Sequence, residues 1–99
     1  MERFEELIKN NPGLILVDFY ATWCGPCKTM HPILENVKAR VGDKARILKI
    51  DVDQQQALAM RYNVQAVPTL ILFKEGQAIW RQSGVMQPAQ LAALIEQNY

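Results

Sequence analysis

Cys24 and Cys27 are the only cysteines in this 99-residue chain, and Gly25 and Pro26 separate them. Two thiols so close in sequence can shut a small disulfide ring, which suits them to reversible two-electron exchange. A thiolate, not a thiol, attacks a disulfide, so one of the pair must ionise near neutral pH. Gly25-Pro26 supplies a turn that opens a helix, and Pro26 removes an N–H that a helix start leaves unpaired in any case. If the helix begins around Cys24–Pro26, the first sulfur meets free backbone N–H groups and the positive end of the helix dipole. Cys24 is therefore expected to be the exposed nucleophile with a lowered pKa. Cys27, about one turn further in, is expected to be shielded and to resolve a mixed disulfide. Lys28 adds positive charge beside them.

Zinc binding is the competing chemistry. Cys24, Cys27 and His31 have C-x2-C-x3-H spacing and offer three ligands. A structural zinc usually takes four protein ligands, and the chain holds no other cysteine or histidine, so redox exchange without a metal is the favoured reading. His31 by itself reads as a polar residue on the helix surface, with redox tuning as the alternative. Asp18 is a second chemical candidate, because it interrupts the apolar run Leu14–Tyr20. A buried carboxylate without a partner is costly, so Asp18 should have a raised pKa or a counter-group.

The elements that position these residues follow from periodicity. Phe4, Leu7 and Ile8 share one face of a helix over 2–9, which Asn10-Asn11-Pro12-Gly13 stops. Leu14–Tyr20 is nearly all apolar, as a central strand covered on both faces should be. Met30, Leu34, Val37 and Val41 recur at spacings of four, three and four, predicting an amphipathic helix that ends near Gly42 and bends at Pro32. Ala45–Val52 reads as a second buried strand. Gln54–Tyr62 reads as a short helix with Asp53 as its N-cap. Leu70–Lys74 and Gln77–Ser83 read as strands joined by Glu75-Gly76, with Trp80 a packing residue. Pro88 opens a last helix that turns Leu91, Leu94 and Ile95 inward. Strand–helix–strand units require parallel crossovers, and the two-residue link requires an antiparallel hairpin. The expected α/β fold is thus one domain, with a mixed four-stranded sheet and helices on both faces.

Composition narrows the function classes. Formal charge is +1, from 11 basic and 10 acidic residues, and neither sign forms a long run. That balance leaves no footprint for nucleic acid or an anionic membrane. No apolar run nears the roughly 20 residues of a membrane span, and the acidic stretch 1–6 lacks the basic and apolar regions of a signal peptide. A single CxxC with no further cysteine fits a reducing compartment better than a secreted one, so a cytoplasmic location is expected.

Val17-Asp18-Phe19-Tyr20-Ala21-Thr22-Trp23-Cys24-Gly25-Pro26-Cys27-Lys28, with Pro32 and then Val67-Pro68-Thr69, resembles the thioredoxins. The resemblance runs from about Phe4 to the C-terminus, and WCGPC with a downstream Val-Pro-Thr is far more specific than a lone CxxC. It implies a thioredoxin fold with sheet order 45–52, 14–20, 70–74, 77–83. It implies that Asp18 is the proton acceptor for Cys27 and that Lys49, on the adjacent strand, is a modulating charge. Pro68 takes the position of the family's cis-proline, which exposes the Val67 backbone beside the sulfurs for strand-like pairing with a substrate. Trp23, Gly25, Pro26, Ala66, Val67, Gly84 and Val85 match the apolar rim that receives client proteins, and the Trp23 indole is expected to bond Asp53. The implied activity is reduction of client protein disulfides by a monomer without cofactor, recycled by an NADPH-dependent thioredoxin reductase.

Departures from the pattern carry their own expectations. Thioredoxins ordinarily place a strand before the first helix, so Ala45–Val52 is expected here as an exposed sheet edge, discouraged from pairing by Arg46 and Lys49. Tyr20 stands where many members have Trp, Ala66 where many have Gly, and Gln87 reads as a poor N-cap. Two other activities fit the same fold: a dithiol oxidant or isomerase, whose CxxC more often contains His, and a binding module that uses the groove without turnover.

Overall fold

The computed structural model describes residues 2–99; Met1, the first residue of the acidic stretch, lies outside them. In chain order the elements are α1 (Glu2–Asn10), β1 (Leu14–Tyr20), α2 (Gly25–Val41), a 3-10 turn (Gly42–Lys44), β2 (Ala45–Asp51), α3 (Gln56–Arg61), β3 (Thr69–Lys74), β4 (Gln77–Ser83) and α4 (Pro88–Asn98). Among the described residues the strands form a four-stranded sheet in the order β2-β1-β3-β4. β1 pairs with β2 in parallel and with β3 antiparallel, and β3 pairs antiparallel with β4. This is the expected order. The β3–β4 turn has positive φ at Glu75 (53°) and Gly76 (84°), the sign pattern of the hairpin turns whose twist matches the sheet.

Alternation along β1 divides the core in two. Leu14 and Leu16 point to the face covered by α2 and α4, where they pack with Met30, Leu34, Val37, Leu70, Leu72, Leu91 and Ile95. Ile15, Val17 and Phe19 point to the other face, against Phe4 and Ile8 of α1, Leu58 of α3, and Ile71 and Phe73. Leu14 through Phe19 are all buried, Asp18 included. Asp18 therefore leaves the sheet on the α2 face, set there by the pleat alone. Trp80 packs against the α2–α4 core, as a packing residue should.

Three local expectations need correction. β2 is half-buried rather than buried, and it lies at the sheet edge, as also expected, with β1 paired on one side only. Asp53 does not cap α3; that helix begins later, with Gln55 at its N-cap and no side-chain cap bond. Asp51 instead organises the preceding turn, its carboxylate accepting from the Asp53 and Gln54 N–H groups at 2.8 and 3.3 Å. Gln87, expected to cap poorly, begins α4 with help from Gln90, whose side-chain oxygen accepts from the Gln87 N–H at 3.3 Å. The far end of α2 is closed by Lys38, whose ammonium donates to the carbonyls of Gly42 (2.8 Å) and Ala45 (2.9 Å), tying the helix to the start of β2.

Candidate active site at the start of α2

β1 ends at Tyr20 and the chain turns through Ala21–Trp23 onto α2, so the two cysteines stand beyond the C-terminal end of a parallel strand. In an open α/β sheet that is where ligands bind. Cys24 is the N-cap of α2, with extended backbone (φ −89°, ψ 117°), and its Sγ accepts the Cys27 N–H at 3.2 Å. The sulfur thus does what a serine or aspartate oxygen does at other helix starts. Pro26 sits in the first turn, where its missing N–H costs nothing.

Cys24 and Cys27 are joined as a disulfide, their Cα atoms 5.3 Å apart. The expectation of an exposed Cys24 needs correction: its relative exposure is 4%, against 0% for Cys27. Ala21 packs onto the pair, with Tyr20, Val52 and Val67 around it, so only a sliver of Cys24 reaches solvent. The order of accessibility is as expected, but the contrast is narrow.

Asp18 is fully buried, and neither carboxylate oxygen has a hydrogen-bond partner. Burial pushes its carboxyl up to about 6, and the Lys49 ammonium draws it partly back down. Lys49 is the register partner of Asp18 on β2 and is itself exposed. Its ammonium lies 2.7 Å from Nδ1 of His31, which is half-buried rather than free on the helix surface. Of the three residues with zinc-ligand spacing, Cys24 and Cys27 are bonded to each other and His31 is engaged with Lys49.

The Val67–Pro68 peptide bond is cis. The Val67 carbonyl oxygen lies 3.6 Å from Cys24 Sγ. Thr69, buried just behind, donates to the Ala66 carbonyl at 2.6 Å and shares a 2.9 Å hydrogen bond with the Ser83 hydroxyl. The Gly84 N–H donates to the Pro68 carbonyl at 2.9 Å, in a conformation (φ 95°) that glycine accepts readily. These bonds lock 66–69 and 83–84 into one rim beside the disulfide. Sequence reasoning missed the Thr69–Ser83 pair: the expected strand began at Leu70, and a register shift between Leu72 and Phe73, which the two-residue turn does not foretell, brings the two hydroxyls opposite each other.

Trp23 stands 70% exposed on the other side of the sulfurs, oriented by its indole N–H, which donates to Asp53 at 2.8 Å. Val85 is 40% exposed and Ala66 is also open, whereas Pro68 is buried. Gly25 and Pro26 are exposed at the tip of the helix. The site is a shallow apolar rim around a nearly covered disulfide, suited to a chain laid across it. Lys28 is exposed one turn into α2. No helix among the described residues is long and apolar enough to cross a membrane.

Comparison with known proteins gives the same picture. The thioredoxin family model matches residues 1–97. A thioredoxin-like protein of Synechocystis is 50% identical over 88 residues, covering 89% of this chain and 84% of that protein. Chloroplastic thioredoxin Y of Oryza sativa is 45% identical over 93 residues; the match covers 94% of this chain but 55% of the rice protein. Among solved structures, a mutant thioredoxin of Halobacterium salinarum superposes with a TM-score of 0.87 at 40% identity, covering 98% of this chain and 83% of that one. Thioredoxin of Fasciola hepatica gives 0.88 at 35% identity, with 99% and 93% covered.

Proposed function

The chain belongs to the thioredoxin family and is a thiol–disulfide oxidoreductase; from that premise we propose that it works as a reductant of protein disulfides, with Cys24 attacking and Cys27 resolving. The observation that carries this reading is the capping bond from the Cys27 N–H to Cys24 Sγ. Two neighbours in sequence thereby become chemically unlike: one sulfur faces the helix N-terminus, and the other lies inside the first turn.

The Cys24 thiolate attacks one sulfur of a client disulfide. A Cys24–client bond forms, the client disulfide breaks, and the departing client sulfur takes a proton. Cys27 then loses its proton to Asp18, the buried carboxylate on the same face of the sheet. The Cys27 thiolate attacks Cys24 Sγ, closing the Cys24–Cys27 bond and releasing the second client thiol. Two electrons pass to the client, and the oxidised form left behind is the one described above. Asp18 suits the step because a base with a pKa of about 6 is ionised at neutral pH yet holds a proton far better than an ordinary aspartate. Lys49 moderates that basicity. Trp23, Ala66, Val67, Pro68, Gly84 and Val85 receive the client, and the Val67 backbone pairs with an extended client segment.

We propose further that the dithiol is regenerated by a thioredoxin reductase with NADPH electrons, and that the protein acts as a monomer in the cytoplasm. Gly-Pro between the cysteines favours the reducing role over an oxidant or isomerase. The test is insulin reduction driven by NADPH and a thioredoxin reductase, beside equilibration with a glutathione buffer. Turnover of insulin with a potential near −270 mV, the thioredoxin range, is expected. A potential near −120 mV, in the range of strong dithiol oxidants, would overturn the direction. No acceleration of insulin reduction by dithiothreitol would favour a binding module.

A further inference from the structure

His31 has no part in the exchange described above, yet it holds a cation that could otherwise reach Asp18. Asp18 and Lys49 are register partners on adjacent parallel strands, so their side chains leave the same face with Cβ atoms about 5 Å apart. A four-carbon lysine stem spans that gap easily. An ion pair would be the ordinary outcome, because a fully buried carboxylate without a partner is costly. Instead both Asp18 oxygens are without hydrogen bonds, and the Lys49 ammonium sits 2.7 Å from His31 Nδ1. An ammonium has donors only, so Lys49 donates and the imidazole accepts at Nδ1, which places the ring proton on Nε2. The ring is held in turn by an edge-to-face contact with Tyr20, centroids 5.6 Å apart at 78°.

We propose that His31 is a positioning residue: by accepting from Lys49 it keeps the ammonium off the Asp18 carboxylate and so preserves Asp18 as the proton acceptor for Cys27. The inference rests on the reading of Asp18 as that base. Other charged and titratable groups border this arrangement. Glu35 and Lys38 of α2 share a groove with Lys49, although Lys38 is occupied by the Gly42 and Ala45 carbonyls. Lys28 lies one turn before His31, Tyr20 contacts the ring, and Asp51 on β2 is engaged by the turn that follows.

The test is a carbon-13 carboxyl titration of Asp18 by NMR in the oxidised protein. In His31→Ala the freed ammonium should lower the Asp18 midpoint by about one pH unit, the smaller end of what an adjacent opposite charge does. Lys49→Met should raise it. His31→Ala added to Lys49→Met should move it no further, because His31 acts through Lys49. His31→Gln, whose amide oxygen can accept from the ammonium, should return the midpoint to that of the parent. An unmoved midpoint in His31→Ala, the same movement with Lys49 removed, or a Gln variant that behaves like Ala would each overturn the proposal. Single-turnover resolution in Asp18→Asn tests the underlying reading separately. An unchanged rate there removes Asp18 as the base, whereas a slowed rate beside an immovable midpoint removes only the role of His31.

Discussion

The Cys27 N–H donates to Cys24 Sγ at 3.2 Å, so the sulfur proposed to attack is also the cap of the helix that carries its partner. A helix N-terminus favours a nearby negative charge by about 0.3–1 kcal/mol, and by up to about 2 in partly buried geometry. The cap therefore favours the thiolate of Cys24 over that of Cys27, whose own N–H is the donor.

Alkylation of the reduced protein should reveal that asymmetry. At pH 7 iodoacetamide should modify Cys24 about tenfold faster than Cys27, following thiolate content and access. Peptide mass spectrometry over a time course measures both rates, and equal rates would remove the distinction between the sulfurs.

Asp18 should make the oxidised protein less stable as pH rises. Its folded pKa, about 6, lies above its ordinary 3.8, so the folded state binds the proton more tightly. The favourable contribution is fully present below about 3.8 and is lost as pH climbs through about 6. Above that, the buried charge costs on the order of 3 kcal/mol. Asp18→Asn should accordingly stabilise the oxidised protein at pH 8 and change little at pH 3.5. Urea denaturation at the two pH values measures the difference, while the same variant slows release of the client.

Gly84 should tolerate no side chain without loss. Nothing lies within 4 Å of where a Cβ would stand, so the strain comes from its φ of 95° alone. Gly84→Ala should cost about 1–3 kcal/mol of stability. It should also weaken client turnover, because the Gly84 N–H holds the Pro68 carbonyl on the rim. Thermal unfolding together with insulin turnover checks both effects; an unchanged KM would detach this loop from the groove.

Much of this was legible in the chain, for physical reasons that differ by element. The 3.6-residue recurrence of Met30, Leu34, Val37 and Val41 has one solution, a helix laid on a sheet, and all four are buried. The apolar run of β1 demanded cover on both faces, and that placed Asp18 in the interior before any coordinates. Local cues failed where a distant partner outbid a near one. Asp53 looks like a helix cap, but α3 begins later, and the carboxylate takes the Trp23 indole N–H from 30 residues away, the bond that the resemblance implied. Cys24 is nearly covered because Ala21, Tyr20, Val52 and Val67 close around the pair; the resemblance put the Val67 backbone beside the sulfurs, but the CxxC spacing carries no measure of how tightly these neighbours shut over them. The His31–Lys49 bond joins a helix to a strand across the sheet face, and no spacing rule on either element foretells it.

The most direct test of the division of labour between the sulfurs is a trapping experiment. Cys27→Ser, reduced and mixed with a disulfide-bearing client such as insulin, should accumulate a mixed disulfide through Cys24, since the resolving thiol is gone. Cys24→Ser should trap nothing and leave the client oxidised. Non-reducing mass spectrometry reads the linkage. A stable adduct on Cys27 in the Cys24→Ser variant, at a yield matching that of Cys27→Ser, would contradict the account.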